Sequence, residues 1–574
     1  MEPMMTKALF SSRIIHHLKD MLDQTVALHS DKIAFVLRDE KGYNKEITFR
    51  KYKEDIYSLG TALMDLGIGK EHIAVIGENR YEWCATYMAV TCGGGVIIPL
   101  DKELPKIELI NLLKRSHSKG IVFSGKFRDV MKEVMPECPE LKFAINMDAK
   151  VDESDSLLSY ENMLKKGKRI IDDGNESYQR IKIQEDQLAG IFFTSGTTDL
   201  AKGVMLTHKN LASNVMGGAA LFEITPKDRL LSILPIHHTY EGTCGFLLMN
   251  SQGATIYFCE GLKHISKNMQ EVKPTIVLVV PLILENMYKK IWAQIDKKGI
   301  RKKVKFALGL SNLLLKFNVD IRRKLFKDII AGFGGEVKTF IAGGAAIDPA
   351  ILKGIRAFGI NAVQGYGLTE SSPLAALNPI SDPEDAAIGL PLPDTYMDIF
   401  EPDEKGIGEI RIKSDSIMKG YYENKEATDA VLKDGWLYSG DIGYRDKRGY
   451  FYITGRKKNV IVTKNGKNIF PEEVESYINK SPYILESVVY GKDLPKENET
   501  KVCAIVVPNY EEIKTFLNKT ELEAEEVRNL IDQEIRKYNN QMSTYKMVKE
   551  FEIRETEFEK TTTKKIKRKD ALKK

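Results

Sequence analysis

Cysteine is scarce and scattered in this chain. There are six in 574 residues (Cys84, Cys92, Cys138, Cys244, Cys259 and Cys503), and no two form a CxxC pair. That spacing argues against a disulfide framework or a zinc site and fits a reducing compartment. Long apolar runs are missing as well. The longest, such as 275–284, fall short of the roughly 18 residues a membrane-spanning helix needs. The opening residues, MEPMMTKALFSSRIIHHLKD, are charged and contain no apolar stretch of signal-peptide length. The expectation is a cytoplasmic protein, soluble or peripheral on the inner face of the membrane. Nor is there a strong overall charge: 85 Lys and Arg face 80 Asp and Glu, a formal +5. No global field asks for nucleic acid as a partner.

What remains is ordinary in composition, 43% hydrophobic and 29% charged. A chain of 574 residues is too long for one core, so two or more domains are expected. The first 130 residues alternate between strand-like and helix-like patterns. Residues 32–37 and 73–76 read as strands, and 52–66 as a helix ending at Gly67. Residues 85–100 read as a helix that passes through Gly93, Gly94 and Gly95 into a strand. Alternation of this kind predicts an α/β fold, a parallel-rich sheet covered by helices. Residues 148–180 are polar without clear periodicity and read as a surface excursion.

The stretch 191–207 reads IFFTSGTTDLAKGVMLT. Apolar residues on both sides predict strand, loop, strand. The loop carries Thr194, Ser195, Gly196, Thr197, Thr198, Lys202 and Gly203, which offer hydroxyls, backbone N–H groups and one cation, the groups that wrap a polyphosphate. It is not a Walker A loop, because Ala201 and Gly203 flank Lys202 where that motif needs Gly and Ser or Thr. The plainer alternative is a Ser/Thr-rich surface turn. Next comes LPIHHTYEG at 234–242; two adjacent histidines followed by Glu241 point to function more than a lone histidine would. Residues 289–327 hold thirteen Lys or Arg against two Asp, a net +11 that leaves the rest of the chain at −6. Apolar residues interleave with these cations. The segment reads either as amphipathic helices with a solvated basic face or as a landing patch for an anionic membrane.

FIAGGAAID at 340–348 predicts a short strand, a turn at Gly343 and Gly344, and a helix from Pro349. In NAVQGYGLTESSP at 361–373, a strand delivers Gln364, Gly365, Tyr366 and Gly367 into a loop, with Thr369 and Glu370 behind. An aromatic ring between glycines suits stacking on a flat base. A hydroxyl beside a carboxylate suits a phosphate with its Mg²⁺, which needs few protein oxygens. DGWLYSGDIG at 434–443 places Asp441 at a turn, where it could accept from both hydroxyls of a ribose. GRKKNVIVTKNGKNIFPEEVE begins with Arg456 and leads into a helix started at Pro471. The expected organisation is a large N-terminal domain over 1–456, a hinge at 457–460, and a small mobile α+β domain over 461–574 that ends in a basic tail.

Taken together, TSGTTDLAKG, GYGLTE, YSGD, GRKKN and KTTTKKIKR, in this order, resemble the adenylate-forming superfamily of AMP-binding enzymes over nearly the whole chain, from about Asp31 to Arg568. ENRYEW at 78–83 and HTYE at 238–241 are most similar to the bacterial long-chain fatty acyl-CoA synthetases. The resemblance implies activation of a carboxylate by ATP as acyl-AMP, with pyrophosphate released, then transfer to coenzyme A. It assigns Thr194, Ser195, Gly196, Thr197, Thr198 and Lys202 to the β- and γ-phosphates, and Thr197 with Glu370 to Mg²⁺. Gly343, Gly344, Gln364, Gly365, Tyr366 and Gly367 would form the adenine pocket, with Thr369 at the α-phosphate. Asp441 and Arg456 would hold the ribose, His238 would border the acyl and thiol channel, and Lys565 would be the detachable catalytic lysine. Four positions depart from the family pattern: Asp199 for Gly, Ala201 for Pro, Lys564 for Gly, and Asn459 for the frequent Asp. The alternatives are a ligase that loads an acyl carrier protein, a ligase for a medium-chain or aryl acid, and a non-catalytic nucleotide-binding protein.

Overall fold

The computed structural model describes residues 4–194, 201–462, 468–494, 499–560 and 566–572. The chain divides into two compact units. The larger comprises Glu2–Met397 with Ile412–Leu437, and the smaller takes Asp398–Arg411 with Tyr438–Lys574. Residues 398–411 and 438–456, read from sequence as part of the large domain, thus group with the C-terminal segment.

Two sheets organise the larger unit among the described residues. One has nine strands, with a parallel centre formed by Thr255–Phe258, Arg229–Ser232, Ile276–Val279, Thr339–Ala342 and Asn361–Gly367. The other has eight, with Val96–Leu100, His72–Ile76, Gly120–Phe123 and Phe143–Asn146 as its parallel run. Central strands such as Ile276–Val279 and Val96–Leu100 are apolar and buried at every position, as expected of strands covered on both faces. The expected α/β class holds. Glycines end the crossings; Gly67, at φ +74, follows the helix Phe49–Asp65.

The segment 148–180 is more ordered than its composition suggests. It contains a short strand, Leu157–Ser159, and the helix Tyr160–Asp172, capped by the Ser159 hydroxyl, which accepts from the Asn162 N–H. Only Tyr160, Met163 and Gly167 of that helix are buried. Gly167 lies so close to the helix Phe49–Asp65 that a Cβ there would stand 1.7 Å from the Ser58 carbonyl oxygen. Tyr160, Met163, Leu164, Ile170 and Ile171 share the Gly167 face at helical spacing, so the segment carries a helical period, against the expectation of a surface excursion.

In the smaller unit, Ile484–Leu494 and Glu499–Pro508 pair antiparallel, and Glu550–Ile553 adds in parallel. The helices Pro471–Ile478 and Ala524–Asn539 pack on that sheet through Val474, Ile478, Ile531 and Ile535. This is the expected α+β arrangement. Among the described residues, no helix is long and apolar enough to cross a membrane.

Candidate functional site

The strands Leu188–Thr194 and Lys202–Thr207 form an antiparallel hairpin, with Thr194 opposite Lys202 and Phe193 opposite Gly203. Its connection, 195–200, lies outside the described residues, and with it Ser195, Gly196, Thr197, Thr198 and Asp199. The far end of the connection is fixed, because Arg115 donates to the Ala201 carbonyl at 2.7 Å. The two-residue strand Gly420–Tyr421 pairs with Lys202–Thr207 on the outer side.

That pairing brings together groups that are far apart in sequence. The Lys202 ammonium sits 4.8 Å from the centre of the Tyr421 ring. The Tyr421 hydroxyl donates to Glu370 Oε1 at 2.7 Å. Burial, and then the charge of Glu370, push the phenol well above its usual range, so it stays a donor. Glu370 is held on its own backbone too. It lies in the 3₁₀ turn Thr369–Ser371, and its carbonyl accepts from Met418 N–H at 2.9 Å. Asn214 donates to the Ser371 and Leu374 carbonyls from the neighbouring helix. Cation, phenol and carboxylate thus form one chain beside the hairpin strands. Nothing in GYYEN distinguishes Tyr421 by sequence; an aromatic on a two-residue strand has no periodicity.

Gly343 and Gly344 follow the strand Thr339–Ala342, as expected. A Cβ on Gly343 would meet the Tyr240 ring at 2.8 Å. Gly344 has φ +85, and the nearest atom to a Cβ there is 3.8 Å away, which leaves an open cradle. The Tyr240 hydroxyl donates to the Ile341 carbonyl at 2.8 Å, and Tyr240 and Ile341 also line a narrow cavity of about 30 Å³. The rest of its wall is apolar, including Phe222, Leu248, Leu278 and Leu374. Gln364 donates its amide to the Asp385 and Ala387 carbonyls, which fixes the loop opposite. Tyr366 is buried on the same strand, Asn361–Gly367.

The His237 and His238 rings meet at a tilt of 42°, with centres 4.1 Å apart, and His237 Nε2 lies 3.5 Å from Asp101 Oδ2. Asn79, in the middle of ENRYEW, holds the approach to them: it donates to the Ser232 hydroxyl and Leu234 carbonyl and accepts from Ile236 N–H. Glu241, on the π-helix Tyr240–Leu247, is 1% exposed, and its carboxyl oxygens have no hydrogen-bond partner of normal geometry. The Ser232 hydroxyl and the backbone at Leu234 are the polar groups nearest in effect, and burial outweighs them, pushing this carboxyl up to about 8.

In the smaller unit, Asp441 lies inside the strand Trp436–Arg445 and not at a turn. Gly440, at φ +72, gives the sequence its turn-like look, yet the strand continues because Asp441 pairs with Arg456 across the ladder. Their side chains form an ion pair at 2.7 Å, with Asp441 3% exposed. The expected hinge residues Lys457–Asn459 form a 3₁₀ turn. Lys457 pairs with Glu409 at 2.7 Å, and Asn459 donates to Glu472. Lys564 and Lys565 lie outside the described residues, but both flanks of their segment are anchored. Lys560 pairs with Glu486 at 2.8 Å, and Arg568 pairs with Glu475 and donates to the Val489 carbonyl at 3.0 Å. The basic tail is therefore tied to the sheet on either side of 561–565.

The comparisons agree with this geometry. The AMP-binding enzyme family matches residues 22–422, and the AMP-binding enzyme C-terminal domain matches 458–574. Long-chain-fatty-acid–CoA ligase 5 of Rattus norvegicus is 29% identical over 515 residues, covering 83% of this chain and 73% of its own. A chloroplastic long-chain-fatty-acid–[acyl-carrier-protein] ligase of Arabidopsis thaliana is 25% identical over 571 residues, covering 87% and 77%. Among solved structures, ATP-bound MatB from Rhodopseudomonas palustris superposes with a TM-score of 0.75 at 23% identity, over 96% of this chain and 97% of its own. The hairpin, the Gly343–Gly344 cradle and a family match over most of the chain lead to one conclusion: this protein belongs to the AMP-binding enzyme family.

Proposed function

We propose that the protein is a fatty-acid–coenzyme A ligase that activates its acid as an acyl-adenylate. The observation that carries the reading is the Tyr240 ring, one side of which closes on Gly343 while the residue also lines the apolar cavity. An adenylate held at the glycine cradle would then have its acyl group directed into apolar surroundings. The cavity is narrow, so a long chain enters as side chains move aside. The long-chain preference rests on the rat and Arabidopsis relatives, both long-chain ligases. Coenzyme A is the proposed acceptor. The Arabidopsis relative, which loads an acyl carrier protein, supports that second acceptor.

Mg²⁺ fits the donor set, since Glu370 is a hard oxygen ligand oriented by the Tyr421 phenol, whose ring Lys202 faces. Glu370 with Thr197 would hold the ion, which supplies charge neutralisation at the phosphate oxygens. The chain's own groups do the rest by position. Lys202 presents a fixed cation to the β- and γ-phosphates, Gly344 admits the nucleotide closely, and Asp441 with Arg456 receives the ribose. The substrate carboxylate attacks the α-phosphorus and pyrophosphate leaves. Lys565 offsets the charge that builds on the pentacoordinate phosphorus. In the second step the coenzyme A sulfur attacks the acyl carbon and AMP departs, with His238 beside the channel. The test is pyrophosphate release with ATP and Mg²⁺ over straight-chain acids from butyric to stearic, with and without coenzyme A. Release that peaks with long chains and yields acyl-CoA and AMP supports the reading. Release that stalls after one turnover in coenzyme A favours a carrier protein, and no release with any acid refutes it.

A further inference from the structure

The helix Arg301–Leu315 carries two apolar faces. Val304, Ala307, Leu308 and Ser311 turn inward, and Val304 and Ser311 are buried. Phe306, Leu310 and Leu313, with Phe317 in the turn just past the helix end, follow at spacings of four, three and four residues, the spacing of a second stripe on the opposite side. This outer stripe is open: Phe306 is 75% exposed, Phe317 71%, Leu313 52% and Leu310 42%. A helix that only covers a core presents polar residues outward. Exposed Lys302, Lys303, Lys305 and Lys316 flank the stripe, and among the described residues none of these four is ion-paired. The surrounding segment 289–327 carries +11.

We propose that this stripe docks the protein on the surface of a phospholipid bilayer rich in anionic headgroups. The aromatic and leucine side chains enter the headgroup–acyl boundary and the lysines lie against the phosphates. Charge and apolarity decide the occupant together. A nucleic-acid backbone would use the lysines but has no place for Leu310 and Leu313. A second copy would bring +11 against +11. The inference is independent of the proposed ligase activity.

The experiment is co-sedimentation of the full chain with vesicles of phosphatidylcholine plus phosphatidylglycerol, against vesicles of phosphatidylcholine alone. Binding is expected to the anionic vesicles, to weaken as salt is raised, and to be far weaker on the neutral ones. A near-surface cation is worth about a fivefold rise in partitioning, so changing Lys302, Lys303, Lys305 and Lys316 together to Gln should lower binding at least about a hundredfold. Phe306→Ser with Phe317→Ser should lower it at least about tenfold at unchanged charge. All six positions are exposed, so the thermal midpoint should not move, and it serves as the folding control. No binding to anionic vesicles overturns the proposal, as does equal binding to both vesicle types or binding indifferent to the Phe pair. A dimer abolished by the Phe pair, or capture of an acidic protein by the lysines, with vesicles ignored in either case, assigns the stripe to a protein partner and overturns it equally.

Discussion

Replacing Glu241 by Gln should change how stability depends on pH, with little change in shape. Glu241 is 1% exposed on the π-helix Tyr240–Leu247, and its Oε1 comes within 2.8 Å of where a Cβ on Gly245 would sit. Burial raises it from its usual 4.5 to about 8. Between those two values the folded protein keeps a proton that the unfolded chain has lost. Stability therefore falls as pH rises through that window, and the full deficit is present above it. Each pH unit is worth about 1.4 kcal/mol, so the whole window amounts to about 5 kcal/mol. Gln does not titrate. Its amide introduces a donor that costs about 1–3 kcal/mol if unmet, but that cost is the same at every pH. The stability difference, Glu241→Gln minus wild type, should thus grow by up to about 5 kcal/mol from acid to mildly alkaline pH, while all other titrations cancel. Trp83, Trp292 and Trp436 all belong to the larger unit, so urea unfolding followed by tryptophan fluorescence reports on it. A difference that stays flat across the range would refute the argument and mean that water reaches the carboxyl.

Two other substitutions test the candidate site. Tyr421→Phe keeps the ring under Lys202 but removes the hydroxyl that donates to Glu370; a hydrogen bond to a charged group is worth about 1.5–3 kcal/mol, so pyrophosphate release should fall by about tenfold or more and need more Mg²⁺ for half-saturation. Unchanged Mg²⁺ dependence would count against Glu370 as the metal ligand. Lys565→Ala should abolish acyl-adenylate formation and spare thioester formation from preformed acyl-adenylate, whereas Lys564→Ala should leave both; equal loss of the two half-reactions in Lys565→Ala would remove the detachable lysine.

Much of the fold was legible because it rests on strong local signals. The hairpin strands on either side of 195–200 and the strand before Gly343 are apolar runs bounded by glycine or a polar loop, and the helix from Pro349 is announced by the Asp348 cap and the proline at its first position. Where the signal was weak, the structure differs. The helix Tyr160–Asp172 carries its apolar face, Tyr160, Met163, Leu164, Ile170 and Ile171, among charged residues, and a glycine stands at the middle of that face. Asp441 looked like a turn residue because Ser439 and Gly440 precede it, yet cross-strand pairing with Arg456 keeps it in a strand. The candidate site was readable as a set of motifs but not as contacts. Tyr421 reaches Glu370 across 51 residues, and Asn79 reaches Ser232 across 153. No local pattern encodes partners at such separations.

The described residues on either side of 561–565 are held to one body. Lys560 and Ile566 pair across the backbone, Lys567 N–H donates to the Glu559 carbonyl, Lys560 pairs with Glu486 on the strand Ile484–Leu494, and Arg568 donates to the Val489 carbonyl of that strand while pairing with Glu475 on the helix Pro471–Ile478. Lys560 and Arg568 therefore move as that sheet moves. A cavity cut beneath it, at Val489 or Ile531, would loosen both anchors at once, so damage in the core of the smaller unit reaches the tail without touching it.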